Sequence, residues 1–594
     1  LNKSYYLFPL LLPSLSFADE FASQPEMVVT ASRSAKTVEE TLASVTVINR
    51  EQIEHSQQSS LPDILRGLAG VDIASNGGLG KASSVFMRGT NSNQTLILID
   101  GVKIGSATLG LASIQDIPLE QIERIEVVRG ARSSLYGSEA IGGVIQIFTR
   151  AGSGEAKPSL KFGMGSYQTQ QMSLGISGAE GNSWYSLYGS RIKSDGYNTC
   201  RGSLKAGCFT VEPDKDGYSN NAYTVRLGHR FSQDLSVEAH SMRVQGTNQY
   251  DSTYNNQTDF TQQVSGLKVL AGLPSTWQMS LNLSNSRDDQ RNFGNVADAR
   301  YKTDRNAWTW QNNIVISKNE SLILGYDHQT DKVDSTTPYA ISSRDNDGTF
   351  AQYQYQFGKF EMLLGGRRDK NEQFGTHKTG NASLGYAFSP AFRSFLAYST
   401  AFRAPTFNEL YYPNYGNPNI KPETSHNLEL GFAGKIQQVS WGINAYQTKI
   451  DQLIGGYPIQ NINKAKIRGL ENTLSWKGQQ WDMSAMFQWL KPEDEKTGRL
   501  LPRRAQQTAS LETGYRMGAW RLAGGVLAQS HRYEDAANKV RLGGYTTLNL
   551  RGEYAFDQHW SVQARLDNAL DKGYETAAFY PAMGRTFFFS VRYQ

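Results

Sequence analysis

What most limits the fold of this chain is a two-residue alternation running through roughly its last three-quarters. "SLKFGMGSY" sets Leu160, Phe162 and Met164 opposite Lys161, Gly163 and Gly165. "YTVRLGHRF" puts Tyr223, Val225, Leu227 and Phe231 on one side, and "WSVQARLDN" does the same with Trp560, Val562, Ala564 and Leu566. The closing "RTFFFSVRYQ" places Phe587, Phe589, Val591 and Tyr593 opposite Thr586, Ser590 and Arg592. Period two is the pleat of a β-strand, whose successive side chains face opposite ways. About 440 residues of such strands is too much for one sandwich core. Many segments also begin or end in an aromatic residue. That pattern fits a transmembrane β-barrel with a lipid-facing and a lumen-facing side.

Turns fix the strand number. "SGAEGNS", "SQDL", "LPSTW", "SKNES", "FGKF", "SPAFRS", "AGKIQQ", "KGQQ", "MGAW" and "FDQH" are short, and long polar loops alternate with them. Ten short turns separate eleven hairpins, so 22 antiparallel strands are expected. The lumen of such a barrel is too wide for wall side chains to fill, and large barrels carry a plug. Composition changes near residue 150 in a way that supplies one. Before it, "LPDILRGLAG" reads as a short helix after Ser60, with Pro62 and Asp63 in its first turn and Gly67 and Gly70 as stops. "TLILIDGVKI" and "ERIEVVRG" read as buried strands. The expected plug is a compact α+β domain over residues 33–150, and the expected barrel covers 151–594.

The amino-terminal "LFPLLLPSLSFA" follows Lys3, carries Pro9 and Pro13 and ends in Ser16-Phe17-Ala18. It is too short for a spanning helix, which needs about 20 apolar residues, and reads as a secretory signal over residues 1–18. Export leaves Cys200 and Cys208, separated by seven residues, able to close a small disulfide loop; two unpaired thiols are the alternative. A net charge of +5, from 60 basic and 55 acidic residues, implies no nucleic-acid partner.

"RGARSSLYGSEAIGGVIQIFTR" (residues 129–150), "SVFMRGT" (84–90) and "LILIDGV" (96–102) closely resemble the plug of TonB-dependent outer-membrane receptors. Ala131 departs from the family's usual proline, and Gln594 follows the customary terminal aromatic. Arg88 and Arg129 each precede a glycine inside a polar wall, where a buried charge needs a partner; wall carboxylates are the expected ones. Ahead of the plug, within residues 19–32, the apolar "EMVVTAS" resembles the TonB box, here Glu26, Met27, Val28, Val29, Thr30 and Ala31. As an unpaired strand it could dock on a partner's sheet edge and be pulled; a disordered linker is the bland alternative. The resemblance implies driven import, not catalysis. It names TonB with ExbB and ExbD as partners, outer-membrane lipid and lipopolysaccharide as surroundings, and the barrel-assembly machinery.

"GVDIASNGGLGKASS", "YGNPNIKPETS", "NKAKIRGLENT" and "LDNALDKGYET" narrow the likeness to the cobalamin (vitamin B12) receptor branch, BtuB-like. Two acidic loops, "DGYNTCRGSLKAGCFTVEPDKDGYS" and "GTNQYDSTYNNQTDF", would lie side by side at the outer rim. Calcium takes six to eight oxygens. The branch's calcium ligands fall on Asn198, Glu212, Asp214, Asp216, Tyr250, Asp251 and Asp259, with Asn198 in place of an aspartate and Lys215 between two of them. The implied substrate contacts are Ala82, Ser84 and Asn91 in one plug loop, Leu109 and Gly110 in a second, and Arg503 on the wall.

Rival readings are a receptor of the same fold for a ferric siderophore or haem, and, further off, a passive porin or adhesin. "FRAP" at 402–405 and "NPNI" at 417–420 resemble the frame of a haem-ligand histidine. No histidine lies between them, and the nearest after them is His426; haem iron needs an axial donor. "NGGLGKAS" is a poor phosphate loop, with Ser75 and Ala82 at key positions. An enzyme is not expected.

Overall fold

The structure is a computed structural model that describes residues 27–28, 33, 36–37, 41–203, 212–273 and 276–594; the expected leader lies outside them. Twenty-two antiparallel strands, from Lys157–Gly165 to Thr586–Tyr593, form a closed barrel. Closure joins the first strand to the last, with Leu160 opposite Tyr593. One rim carries tight turns, such as those between Glu180 and Ser183 and between Phe357 and Phe360. The other carries long loops, including those from Ser194 to Tyr218 and from Arg403 to Glu423. Among the described residues no helix is long and apolar enough to cross a membrane; strands do the crossing.

The alternation sorts as expected. Leu160, Phe162 and Met164 face outward and are 41–52% exposed, whereas Thr586, Ser590 and Arg592 are buried in the lumen. Closure pairs every wall strand on both edges, so lipid meets no open backbone. Near the tight turns, aromatic pairs form a belt: Trp481–Tyr515 and Trp520–Tyr554 have ring centroids 4.5 and 4.7 Å apart. Such girdles sit at the headgroup level.

The bore holds the amino-terminal domain. Its chain begins with the two-residue strands β1 (Met27–Val28) and β2 (Lys36–Thr37). There follow β3 (Val45–Ile48), α1 (Arg50–Ser56), α2 (Leu61–Arg66), β4 (Val71–Ser75), β5 (Ser83–Met87), β6 (Thr95–Ile99) and β7 (Val102–Lys103). β8 (Ile122–Arg129), α3 (Ser133–Tyr136) and β9 (Gly143–Thr149) complete it. The main sheet runs β3-β8-β9-β6-β7, with β6 and β9 parallel, and β4–β5 form a separate hairpin. Asn49 and Gln52 cap α1 reciprocally. Ahead of α2, the Ser60 hydroxyl donates to Asp63 at 2.6 Å rather than accepting from the helix backbone. Leu61, Leu65, Ile73, Ile122, Ile125 and Ile147 form its core, which continues onto wall residues Tyr218, Met242 and Phe260. Gly143, at φ +149°, passes so close to β8 that an added Cβ would lie 2.2 Å from the Val128 carbonyl oxygen.

Plug and wall also meet through charge. Arg88, 1% exposed, donates to Glu429 at 2.8 Å and to both oxygens of Glu471 at 2.9 Å, and lies 4.2 Å over the Tyr446 ring. Arg129 differs from expectation. It turns its donors to plug oxygens, those of Ala69 (2.6 Å), Ser44 (3.0 Å) and Thr46. Arg88 already occupies Glu471 from the bidentate direction, and three plug oxygens lie within reach of Arg129.

Removing one member of a buried ionic cluster costs about 3–5 kcal/mol, because the remaining charges lose their compensation. Arg88→Met is therefore expected to release the plug at markedly lower urea, followed through a label on α2. Adding Glu429→Gln and Glu471→Gln to it recovers most of the loss.

Candidate functional site

The plug touches the two rims differently. At the tight-turn end, Leu42 packs on Leu363, Phe395 and Ala397. Nearby, Arg33 pairs with Asp327 at 3.3 Å, lies 4.7 and 4.5 Å over the rings of Tyr136 and Phe350, and accepts through its carbonyl from Gln311 at 2.9 Å. Arg33 and Leu42 are thus both held toward this rim. β1 pairs with β2 through Met27–Thr37 and Val28–Lys36, so these two residues are not the unpaired strand the sequence suggests. Backbone donors and acceptors seek partners, and Lys36 and Thr37 supply them through a ladder only two residues long. Glu26, Val29, Thr30 and Ala31 lie outside the described residues.

At the long-loop end two plug loops reach the mouth. Ala82 is exposed, Ser84 and Asn91 are half-buried, and Leu109 is 50% exposed. Gly110, at φ +70°, lies against Thr406, which caps the short helix α4 (Phe407–Tyr411) of an outer loop. Beside it, Asn93 donates to Glu409 at 3.4 Å. Arg503 pairs with Glu534, its Nε donating at 2.8 Å. Its neighbour Arg504 is buried, donates to Gly89 and Thr90 carbonyls and to Asn91 at 2.6 Å, and stacks 4.2 Å over Phe86. Arg504, Asn93 and α4 were not singled out in the sequence. A second arginine directly after the first was the available signal.

The acidic loops converge only in part. Ligand oxygens of Glu212, Asp214 and Asp251 all lie within 4.8 Å of one another. Asn256 and Asn295 hold the Glu212 carboxylate at 2.9 and 3.0 Å. Both Asp251 oxygens are buried without a well-formed hydrogen bond. Burial, and then the charges of Asp216, Asp214 and Glu212, push the Asp251 carboxyl up to about 7, against an opposing Glu212 amide. A buried carboxylate without well-formed hydrogen bonds is costly. Three carboxylates offering up to six hard oxygens could hold a divalent cation.

The other four expected ligands do not join this cluster. Asp216 is turned away, accepting from the Thr199 amide and hydroxyl at 2.7 Å each. Asn198 is occupied by the Glu212 carbonyl at 2.6 Å and the Cys200 amide at 3.0 Å. The Tyr250 hydroxyl accepts from Thr258 at 3.2 Å. Asp259 sits on the outward face of its strand, bonded to Thr247 at 2.8 Å, because lumen-facing Thr258 and Phe260 flank it. Lys215 is exposed. Cys200 is buried and disulfide-bonded; Cys208, its expected partner, lies outside the described residues.

Lys81, in the same plug loop as Ala82, was likewise not singled out. It is 2% exposed, and burial draws its ammonium down to about 8 although Asp216 and Asp116 oppose this. Its Nζ donates to the carbonyls of Asp216 (3.0 Å) and Gly217 (3.4 Å) and to Asn248 Oδ1 (2.7 Å).

Comparison with known proteins agrees with this architecture. Residues 37–144 match the TonB-dependent receptor plug domain, and residues 161–569 match the TonB-dependent receptor-like β-barrel. The chain is 32% identical to a vitamin B12 transporter of Photobacterium profundum over 99% of its own length and 98% of the relative's. It is 31% identical to one of Vibrio cholerae, with the same two coverages. Among solved structures, a ferric enterobactin receptor of Pseudomonas aeruginosa superposes with a TM-score of 0.82 at 20% identity, covering 96% of this chain and all of that one. The siderophore receptor of Acinetobacter baumannii does so at 0.81 and 19%, covering 92% and 98%. At those identities the likeness is one of fold. A plugged barrel of 22 strands, matched in both of its parts and over its full length, places this chain in the family of TonB-dependent outer-membrane receptors, which take up large external ligands and perform no catalysis.

Proposed function

We propose that this receptor imports cobalamin and related corrinoids, that calcium orders its outer loops, and that Glu26–Ala31 is the TonB box. The observation that carries the substrate reading is the state of charge at the mouth. An anionic ferric siderophore favours free cations beside the plug loops, yet four cations that stand there, Lys81, Arg503, Arg504 and Arg532, are engaged. Lys81 is held by three loop oxygens, Arg503 by Glu534, Arg504 by Gly89, Thr90 and Asn91, and Arg532 by Asp72 at 3.2 Å. Cobalamin is large and rich in amides, so many neutral contacts spread over Ala82, Ser84, Asn91, Leu109 and Gly110, with Arg503 at the edge, suit it better. The full-length relatives named as vitamin B12 transporters support the same reading. The histidine after "FRAP" does not favour haem: His426 is exposed on the outer face of the wall, bonded to Tyr398 at 2.8 Å.

Calcium is supported by the fit of Glu212, Asp214 and Asp251 to a hard cation, which would satisfy the two buried Asp251 oxygens. The ion would order the loops, and cargo would bind beneath them. On the opposite rim the two-residue pairing of β1 with β2 is short enough to be exchanged for pairing with TonB's sheet. A pull there meets the Arg33–Asp327 contact first.

Direct binding of cobalamin to the purified receptor, with and without calcium, tests the proposal. Tight binding strengthened by calcium is expected, and weak corrinoid binding beside tight binding of an iron chelate overturns it. Asp251→Asn is expected to weaken calcium's effect roughly tenfold, since affinity follows the charge count of the ligands. Val28→Pro removes a backbone donor from the docking strand; it is expected to abolish uptake by whole cells while leaving binding unchanged. Arg33→Ala is expected to increase the motion of a spin label at Met27, read as a sharpened line shape.

A further inference from the structure

The plug's apical loop, residues 76–82, closes on itself through the Asn76 amide to the Ala82 carbonyl (3.0 Å) and the Lys81 amide to the Gly78 carbonyl (3.2 Å). Its glycines lie flat against the outer loop that follows Ser194. An added Cβ on Gly78 would come 2.9 Å from the Tyr197 ring, and one on Gly80, at φ +76°, would come 2.0 Å from that of Tyr218. This close seat carries the Lys81 ammonium to a particular place. Two of its acceptors, the carbonyls of Asp216 and Gly217, lie just after Glu212 and Asp214 in sequence; the third, Asn248, lies three residues before Asp251. The two chain segments that carry the acidic cluster thus share one buried cation below it, supplied by a different domain.

We infer that Lys81 is a clamp through which the plug holds the two acidic outer loops in register, so that the carboxylate cluster is assembled only while the plug's apical loop is seated. The clamp is a positioning device. It touches neither cargo nor the cluster's carboxylates, and it does not depend on which cargo or cation the mouth takes. Its oxygens are otherwise partly satisfied: the Gly217 carbonyl also accepts from the Gln249 amide at 3.0 Å, and Asp216 is fixed through Thr199. Loss of the ammonium therefore frees the loop necks without unfolding the barrel.

The test is amide hydrogen exchange over residues 212–218 and 248–251 of the intact receptor in detergent, without added cations. Lys81→Met, which keeps the stem and removes the charge, is expected to speed exchange at both necks about tenfold, the worth of a hydrogen bond to a charged group. Lys81→Arg restores much of the protection. Asn248→Asp sets a carboxylate against the ammonium and is expected to slow exchange where Lys81 is present, but not in the Lys81→Met background. That non-additivity is what a direct interaction requires. Exchange unchanged in Lys81→Met, or slowed equally by Asn248→Asp in both backgrounds, overturns the inference. Should Lys81→Met fail to assemble, Asn248→Asp alone decides: slower exchange at both necks supports the clamp, and unchanged exchange refutes it.

Discussion

Strands in lipid can satisfy their backbone only by closing into a ring, and here the ring has 22 members. The rest of the molecule follows from that closure. So wide a ring leaves a bore that its own side chains do not fill, and its inner face is polar because its outer face must be apolar. Whatever stoppers the bore must therefore match a wall of arginines, carboxylates and amides. The plug does so with the Arg88–Glu429–Glu471 cluster, with Gln94 on Glu423 at 2.8 Å, and with Ser134 on Asn381 at 2.7 Å. Apolar contact with the wall comes in separate patches: the plug core continues onto Tyr218, Met242 and Phe260, while Leu42, Leu135 and Ile141 each join a smaller wall cluster.

The wall was legible in the sequence because the pleat writes lipid and lumen into alternate letters. Phe587 and Ser590, close together, end up on opposite sides of the bilayer wall. The tight turns, and hence the strand number, were legible for the same reason. In the plug, α2 showed through Pro62 and its stop glycines, and β6 and β8 through their apolar runs, whereas the Asn49–Gln52 cap of α1 was not read and Ser60 makes no cap hydrogen bond. What could not be read were meetings between distant parts. Asp251 and Asp259 look alike in sequence; one lies in a loop facing the other acids, and the other falls on a strand whose pleat turns it outward. Arg88 and Arg129 look alike too, and both lie near the wall glutamates, yet it is Arg88 that pairs with them while Arg129 bonds plug oxygens. Lys81 resembles any loop lysine until the fold brings Asn248 to it.

The two rims divide the work. Outside, two plug loops reach the mouth, with three carboxylates gathered in the loops of the rim. Inside, a two-residue strand and a single anchored arginine offer a handle. Between them stands a domain whose contacts with the wall are strong one by one but specific in register, as buried ion pairs are.

The polarity of that plug–wall boundary also governs how it behaves under shear. An oily boundary, once displaced, would expose grease to water and snap back. A boundary of charges and amides admits water into each gap as it opens, and water takes over the vacated hydrogen bonds almost as well as the original partners did. The stopper is thus bedded in what becomes its own lubricant: firm at rest, and able to slide in small wetted steps when drawn from below.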